Sequence, residues 1–310
     1  MRPLLEVRNL QITFTRYISG LKQHQMKAVD GVDLSLDAGT VTAVIGSSGS
    51  GKSLLAHAIL GILPGNARMS GQILYRGEEL DAARQEVLNG GEIAYIPQSV
   101  TYLDPTMRTG SQVRLAAKGD RREAAAKQRR VFQRYRLGEH VERLYPFELS
   151  GGMARRVLVA AATVSDARLI IADEPTPGLP QADVREALQQ LRELADAGCG
   201  VLLITHDIQA ALGVADRVVV FYAGSTVEDA HAHDFTGDGH MLRHPYSRAL
   251  WRALPENGFE PLPGAQPHPS DRQAGCLFAP RCACATEHCR EVWPEMRTVR
   301  GGMVRCHHAT

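Results

Sequence analysis

The residues GSSGSGKS, positions 46–53, fit the pattern G-x-x-x-x-G-K-[ST]. Gly46, Gly49 and Gly51, interleaved with Ser47, Ser48 and Ser50, let the backbone curl so that successive N–H groups point inward at phosphates. The apolar run VTAVI precedes the motif and LLAHAILGIL, with helical spacing, follows it. That strand–loop–helix setting is what a phosphate-binding loop requires, because the helix N-terminus adds its partial positive charge. There Lys52 would meet the β- and γ-phosphates and Ser53 would ligate Mg²⁺. The alternative is a chance glycine turn, which leaves the flanking elements unexplained.

Further along, LIIADE (169–174) reads as a buried strand ending in two carboxylates. Asp173 would hold Mg²⁺ through water, and Glu174 would polarise the attacking water as general base. Taken alone, the pair could be a solvated strand edge. A second apolar run, VLLIT, ends in His206-Asp207. In an open α/β sheet ligands gather at the carboxyl ends of the strands, which puts His206 within reach of a γ-phosphate rather than in a merely structural place. Between these runs, LSGGM opens the helical stretch ARRVLVAAATVS. Ser150, Gly151 and Gly152 at a helix start form a second anion site. One γ-phosphate has no use for two such sites in one chain, whereas two chains arranged head to tail have.

The elements that position these residues belong to an ordinary globular chain. Its 310 residues suit one large domain, or a domain with an appendage. With 44% hydrophobic and 22% charged residues it can bury a sizeable core, and a formal charge of +1 gives no argument for wrapping nucleic acid. The basic run KGDRREAAAKQRRVFQRYR places Ala124, Gln128, Val131, Phe132 and Tyr135 on one helical face, so it reads as a solvated basic face. MRPLLEVRNLQITF lacks the features of a signal peptide. The longest apolar run, VLVAAATV, is far short of the roughly 18–20 residues that span a bilayer.

In family order, the P-loop, Gln98 in AYIPQ, LSGGM, the Asp173-Glu174 pair and His206 resemble the ATPase subunits of ABC transporters. The resemblance implies an α/β fold: a RecA-like P-loop core over 1–235, with a helical subdomain at about 99–160 inserted in it. It also implies a dimer sandwiching ATP, with Gln98 sensing Mg²⁺ and the γ-phosphate while the loop behind it meets membrane subunits. An aromatic near the first strand stacks on adenine in that family. Phe14 is the candidate and Tyr17 the second, with core packing the alternative for both.

The chain departs from the family at EPTPGLPQAD, where Pro180 stands in place of the usual aspartate of the dimer-crossing loop. Proline offers neither carboxylate nor N–H. After SGGM, ARR replaces a more usual Arg-Gln-Arg. Both departures point to a heterodimer with a second, different ATPase subunit and two unequal sites.

Five of six cysteines lie in the last 35 residues, within GCLFAPRCACATEHCREVW and the final VRCHH. An ATPase of this kind works in the reducing cytosol, which disfavours disulfides and favours metal ligation. Cys276, Cys282, Cys289 and Cys306 are widely spaced, without the tight pair of a structural zinc site, and suit a [4Fe–4S] cluster. Zn²⁺, with His288, His307 or His308 helping, and idle thiols are the alternatives. Cys284 is too close to Cys282 to share one ion, and Cys199 reads as a core thiol. From HPYSRALWRALPENG onward the chain resembles one ABC subfamily, the ATPases of oligopeptide, dipeptide and nickel importers. That resemblance implies a small cysteine-rich extension over 236–310 binding a cluster through those four cysteines. It also implies two permease subunits, an external binding protein, and a peripheral place on the cytoplasmic face of the bacterial inner membrane. Short peptides are the first substrate expectation, and nickel or a metal chelate the second.

Overall fold

The computed structural model describes residues 2–19, 22–268 and 274–310. A long hairpin, β1 (Leu5–Ser19) and β2 (Lys22–Leu36), leads into β3 (Val41–Gly46) and α1 (Lys52–Ile59). Next come β4 (Ala67–Tyr75), β5 (Glu78–Glu79), α2 (Ala82–Leu88) and β6 (Ile93–Ile96). A helical arm follows with α3 (Thr109–Ala116), α4 (Arg121–Arg134) and α5 (Gly151–Thr163). The chain re-enters the sheet through β7 (Leu169–Asp173), α6 (Gln181–Asp196), β8 (Gly200–Ile204), α7 (Ile208–Leu212), β9 (Arg217–Tyr222) and β10 (Ser225–His231). It ends with α8 (Pro245–Arg252), α9 (Glu287–Glu291), β11 (Arg297–Val299) and β12 (Gly302–Val304).

The main sheet has the order β11-β12-β10-β9-β3-β8-β7-β6, and it is parallel from β9 through β6. Every residue of β3, β7 and β8 is buried. Strands covered on both faces must be apolar throughout, which is why VTAVI, LIIA and VLLI carry no alternation. Successive side chains still point to opposite faces. Val41, Ala43, Ile45, Ile170, Val201 and Leu203 enter one core with α5 and α6, while Val44, Ile171, Leu202 and Ile204 enter another with α1 and the β1–β2–β4 sheet.

In the arm, Asp120 caps α4 by accepting from the N–H groups of Arg122 and Glu123 at 2.7 and 2.8 Å. Ala124, Gln128 and Phe132 are its buried face, and its arginines turn outward to give the solvated basic face. The C-terminal residues are built into the same body. Leu277 and Phe278 join the first core, and β12 pairs antiparallel with β10, Glu228 opposite Val304. Arg243, 2% exposed, fastens the junction: it reaches Asp234 at 2.8 Å and Glu228 at 3.4 Å, and donates to the carbonyls of Val299 and Arg300. Removing one partner of such a buried pair costs about 3–5 kcal/mol. Among the described residues no helix is long and apolar enough to cross a membrane.

Candidate active site

Four loops leave neighbouring parallel strands at the same edge. Residues 46–53 follow β3, Asp173-Glu174 end β7, Thr205-His206 follow β8, and Gln98 lies just beyond β6. The P-loop starts abruptly at Gly46, whose φ of 151° and whose contact with the strand below exclude a side chain. A Cβ there would sit 2.4 Å from the Phe221 carbonyl oxygen.

Lys52 Nζ donates to the carbonyls of Gly46 at 2.8 Å and Ser47 at 3.1 Å, closing the loop on itself. Burial lowers its pKa, and the nearby carboxylates of Glu174 and Asp173 offset part of that fall. Ser53 Oγ donates to Asp173 Oδ1 at 3.2 Å, and the Tyr95 hydroxyl reaches Asp173 Oδ2 at 3.4 Å. Burial raises the Asp173 pKa, with the Ser53 bond opposing it. A hydroxyl and a carboxylate oxygen side by side are the hard donors Mg²⁺ takes, so these residues fit that ion. Ser48 and Gly49 are exposed, Gly51 supplies the left-handed N-cap of α1, and the Ser50 hydroxyl is buried with no partner among the described residues.

Glu174 leaves β7 with φ 47°, and its N–H donates to Ile204 O at 2.8 Å. Its Oε1 lies 2.9 Å from His206 Nδ1, and Thr205 Oγ1 donates to Oε2 at 3.4 Å. The glutamate side chain is 10% exposed and that of His206 66%, so the pair joins a sheltered carboxylate to an open imidazole. This geometry can hold a water and take its proton.

The remaining candidates stand apart from that cluster. Gln98 is exposed and makes no side-chain hydrogen bond among the described residues. Ser150 caps α5, accepting from Met153 N at 3.3 Å, and Gly151 is exposed at the tip of the arm. A Cβ on Gly152 would lie 4.0 Å from both Leu179 and Asp183, so the second anion site faces the Pro180 loop. Pro180 itself is exposed and begins α6. Phe14, half-buried between Met26 and Ala67 on β2 and β4, packs against the second core, and the side chain of Tyr17 lies outside the described residues.

Neither Tyr95 nor Thr205 is marked by spacing, because sheet order alone brings them to the carboxylates. Arg155 is visible in the sequence only as the departure ARR. It is 6% exposed, and its guanidinium donates to the carbonyls of Pro97 at 3.0 Å and Pro177 at 3.5 Å. One buried cation thus ties the loop carrying Gln98 to the loop carrying Pro180. Burial lowers its pKa.

A second constellation lies beyond α8. Cys276, Cys282, Cys289 and Cys306 line one small pocket of about 20 Å³, with Cys284, His307 and His308 also on its wall. Burial pushes the Cys276 thiol up to about 11 and raises Cys282 and Cys306 as well, each neighbouring thiolate adding to the rise. Among the described residues no three Cys, His, Asp or Glu side chains stand close enough to hold one metal ion. The thiols ring the pocket instead of converging on a point. In kind, four cysteine sulfurs are the donors of a thiophilic metal group, although as placed they do not converge on one. Cys199 is separate, half-buried against the first core, its thiol donating to Ala167 O at 3.2 Å.

The family profile described as ABC transporter matches residues 29–177, and that described as oligopeptide/dipeptide transporter, C-terminal region, matches residues 227–289. The dipeptide transport ATP-binding protein of Haemophilus influenzae is 34% identical over 321 residues, covering 98% of this chain and 95% of its own. The dipeptide transport ATP-binding protein of Escherichia coli is 35% identical over 326 residues (98% and 96%). The oligopeptide transport ATP-binding protein of Bacillus subtilis is 34% identical over 325 residues (99% and 97%). Among solved structures, an ATP-binding cassette dimer in a post-hydrolysis state with ADP and Pi aligns with TM-score 0.64 at 23% identity, over 74% of this chain and 98% of that one, a likeness of fold. With relatives matched over almost their whole length, the chain belongs to the ATP-binding subunits of ABC transporters, in the oligopeptide/dipeptide importer family.

Proposed function

We propose that this ATPase drives an importer of short peptides, docked peripherally on two integral membrane subunits at the cytoplasmic face and served by an external binding protein. The observation that carries the reading is the Glu174–His206 pair, 2.9 Å apart beside the P-loop, in a chain similar throughout to peptide-transport ATP-binding proteins. The relatives' names, dipeptide and oligopeptide, favour peptides over nickel or a metal chelate. Residues 1–235 form the ATPase domain, with the arm at about 99–160 inserted, and 236–310 its extension.

Residues 46–53 cradle the phosphates, and Lys52 moves from its carbonyl bonds to the β- and γ-phosphates. Mg²⁺, when bound by Ser53, Asp173 and Gln98, neutralises phosphate charge. Glu174 takes the proton of the attacking water while His206 orients the carboxylate and touches the γ-phosphate. Phe14 or Tyr17 stacks on adenine. Ser150, Gly151 and Gly152 close the nucleotide of the opposite subunit, a second and different ATPase. Pro180, with no carboxylate to offer, makes the two sites unequal.

Cys276, Cys282, Cys289 and Cys306 would hold a [4Fe–4S] cluster, a reading that rests on the donor set around one pocket. The cluster would staple four loops that have little core of their own. Iron and sulfide analysis of anaerobically purified protein tests it, and one equivalent of zinc with no iron would overturn it. The motor reading is tested in liposomes holding the two membrane subunits and the partner ATPase. Peptide with its binding protein should stimulate ATP hydrolysis, and stimulation by nickel but not by peptide would overturn the substrate class.

A further inference from the structure

The C-terminal extension reaches back onto the phosphate loop. Ser47 Oγ donates to Gln266 Oε1 at 2.6 Å, across 219 residues of sequence. Gln266 lies in the connection between α8 and the cysteine pocket, and Arg281 fixes that connection by donating to Pro263 O at 2.8 Å and Leu262 O at 3.2 Å. The same guanidinium reaches the Tyr222 hydroxyl at 3.2 Å. Tyr222 follows Phe221, the residue against which Gly46 is pressed.

Tyr222, Tyr246 and Phe278 form a cluster of tilted and edge-to-face aromatic rings. The two tyrosine rings are 4.5 Å apart, and Phe278 lies 5.3 and 5.4 Å from them. Tyr246 is 2% exposed; burial raises its pKa, and the neighbourhood of Ser47 opposes that rise. Phe278 and Arg281 are flanked by Cys276 and Cys282. Contacts therefore run without interruption from the cysteine pocket to the second residue of the P-loop.

We infer that Gln266 is a positioning residue of the ATP site: it holds Ser47, so that the extension sets the nucleotide affinity of its own subunit. This rests on the reading of residues 46–53 as the phosphate site. A loop fixed before binding loses less conformational entropy when phosphate arrives, so releasing it weakens binding without touching the chemical step. One hydrogen bond of this kind is worth about 3–10-fold in affinity.

A double-mutant cycle in the full chain tests it, with MgATP titration and steady-state ATPase as readouts. Gln266→Ala should raise the ATP Kd and KM about 3–10-fold with kcat held, and adding it to Ser47→Ala should weaken ATP binding no further than Ser47→Ala does alone. Melting without nucleotide should stay at the parent value in Gln266→Ala. Wild-type ATP affinity in Gln266→Ala, or effects that add in the double variant, would overturn the strap. Lys52→Ala separates the two layers: if it still binds ATP, the phosphate-site reading falls. If it loses ATP while Gln266→Ala binds normally, only the strap falls.

Discussion

The nucleotide edge and the cysteine pocket are built in opposite ways. Gly46, Asp173 and Thr205 hang from the ends of strands whose residues are all buried, so backbone and sheet fix their spacing before any ligand arrives. The four cysteines lie in turns, in the five-residue α9 and just past β12; Cys276 and Cys282 pack at the margin of the first core, while Cys306 belongs to a small satellite cluster with Val304 and Ala309. The first site is preorganised by the fold. The second hangs on short loops at the margin of the core.

The largest effect that contrast predicts is at the rigid edge. Glu174→Gln should lower ATP turnover about 10²–10⁴-fold while ATP binding and melting stay near wild type, measured by single-turnover hydrolysis and filter binding. Turnover within a factor of two of wild type would remove the general base from Glu174. At the soft pocket the readout is local opening. Cys289→Ser should speed amide exchange over residues 274–310 about 100-fold and leave β3 and β8 protected. Equal acceleration in both regions would erase the distinction drawn here.

Acid should act on the extension next. His244 is fully buried as the neutral ring, its Nδ1 accepting from Tyr246 N at 3.0 Å, and burial pushes its pKa from 6.5 down to about 3. A depressed histidine leaves stability intact above pH 6.5 and loses it as the pH falls from 6.5 toward 3. By pH 5 the loss is about 2 kcal/mol. His244→Asn, which keeps an acceptor and cannot charge, should flatten this slope in urea melts followed by Trp251 fluorescence. An unchanged slope would assign the acid sensitivity elsewhere. The smallest effect also sits at the rigid edge, between two of its loops. Arg155→Ala strands the Pro97 and Pro177 carbonyls and should lower kcat about 10-fold with little change in KM, and Arg155→Lys should recover part of it. A change in KM alone would mean that Arg155 serves binding instead of loop alignment.

Much of the rigid edge is legible in the sequence, since residues 46–53 and 169–174 are contiguous and their chemistry depends on backbone that local spacing dictates. Tyr95, Thr205 and Arg155 are not, because each meets its partner through strand order or helix packing across tens of residues. The four cysteines are legible as a set of donors. Their ring-like spread is not, nor is the pairing of β12 with β10, because short loops carry no periodicity that encodes distance. Gln266 sits in a Pro- and Gly-rich stretch without periodicity, and only the folded chain brings it to Ser47.

Glu174 carries one more consequence. A φ of 47° is a backbone state glutamate seldom adopts and glycine takes freely, at a difference of about 1–3 kcal/mol. The sheet holds the residue there through the Ile204 carbonyl. Evolution toward heat resistance and evolution toward transport therefore pull this position in opposite directions. A screen for hardier variants should enrich glycine or asparagine at 174 and return sturdy, silent proteins, so any thermostabilisation of this subunit has to leave that one strained residue alone.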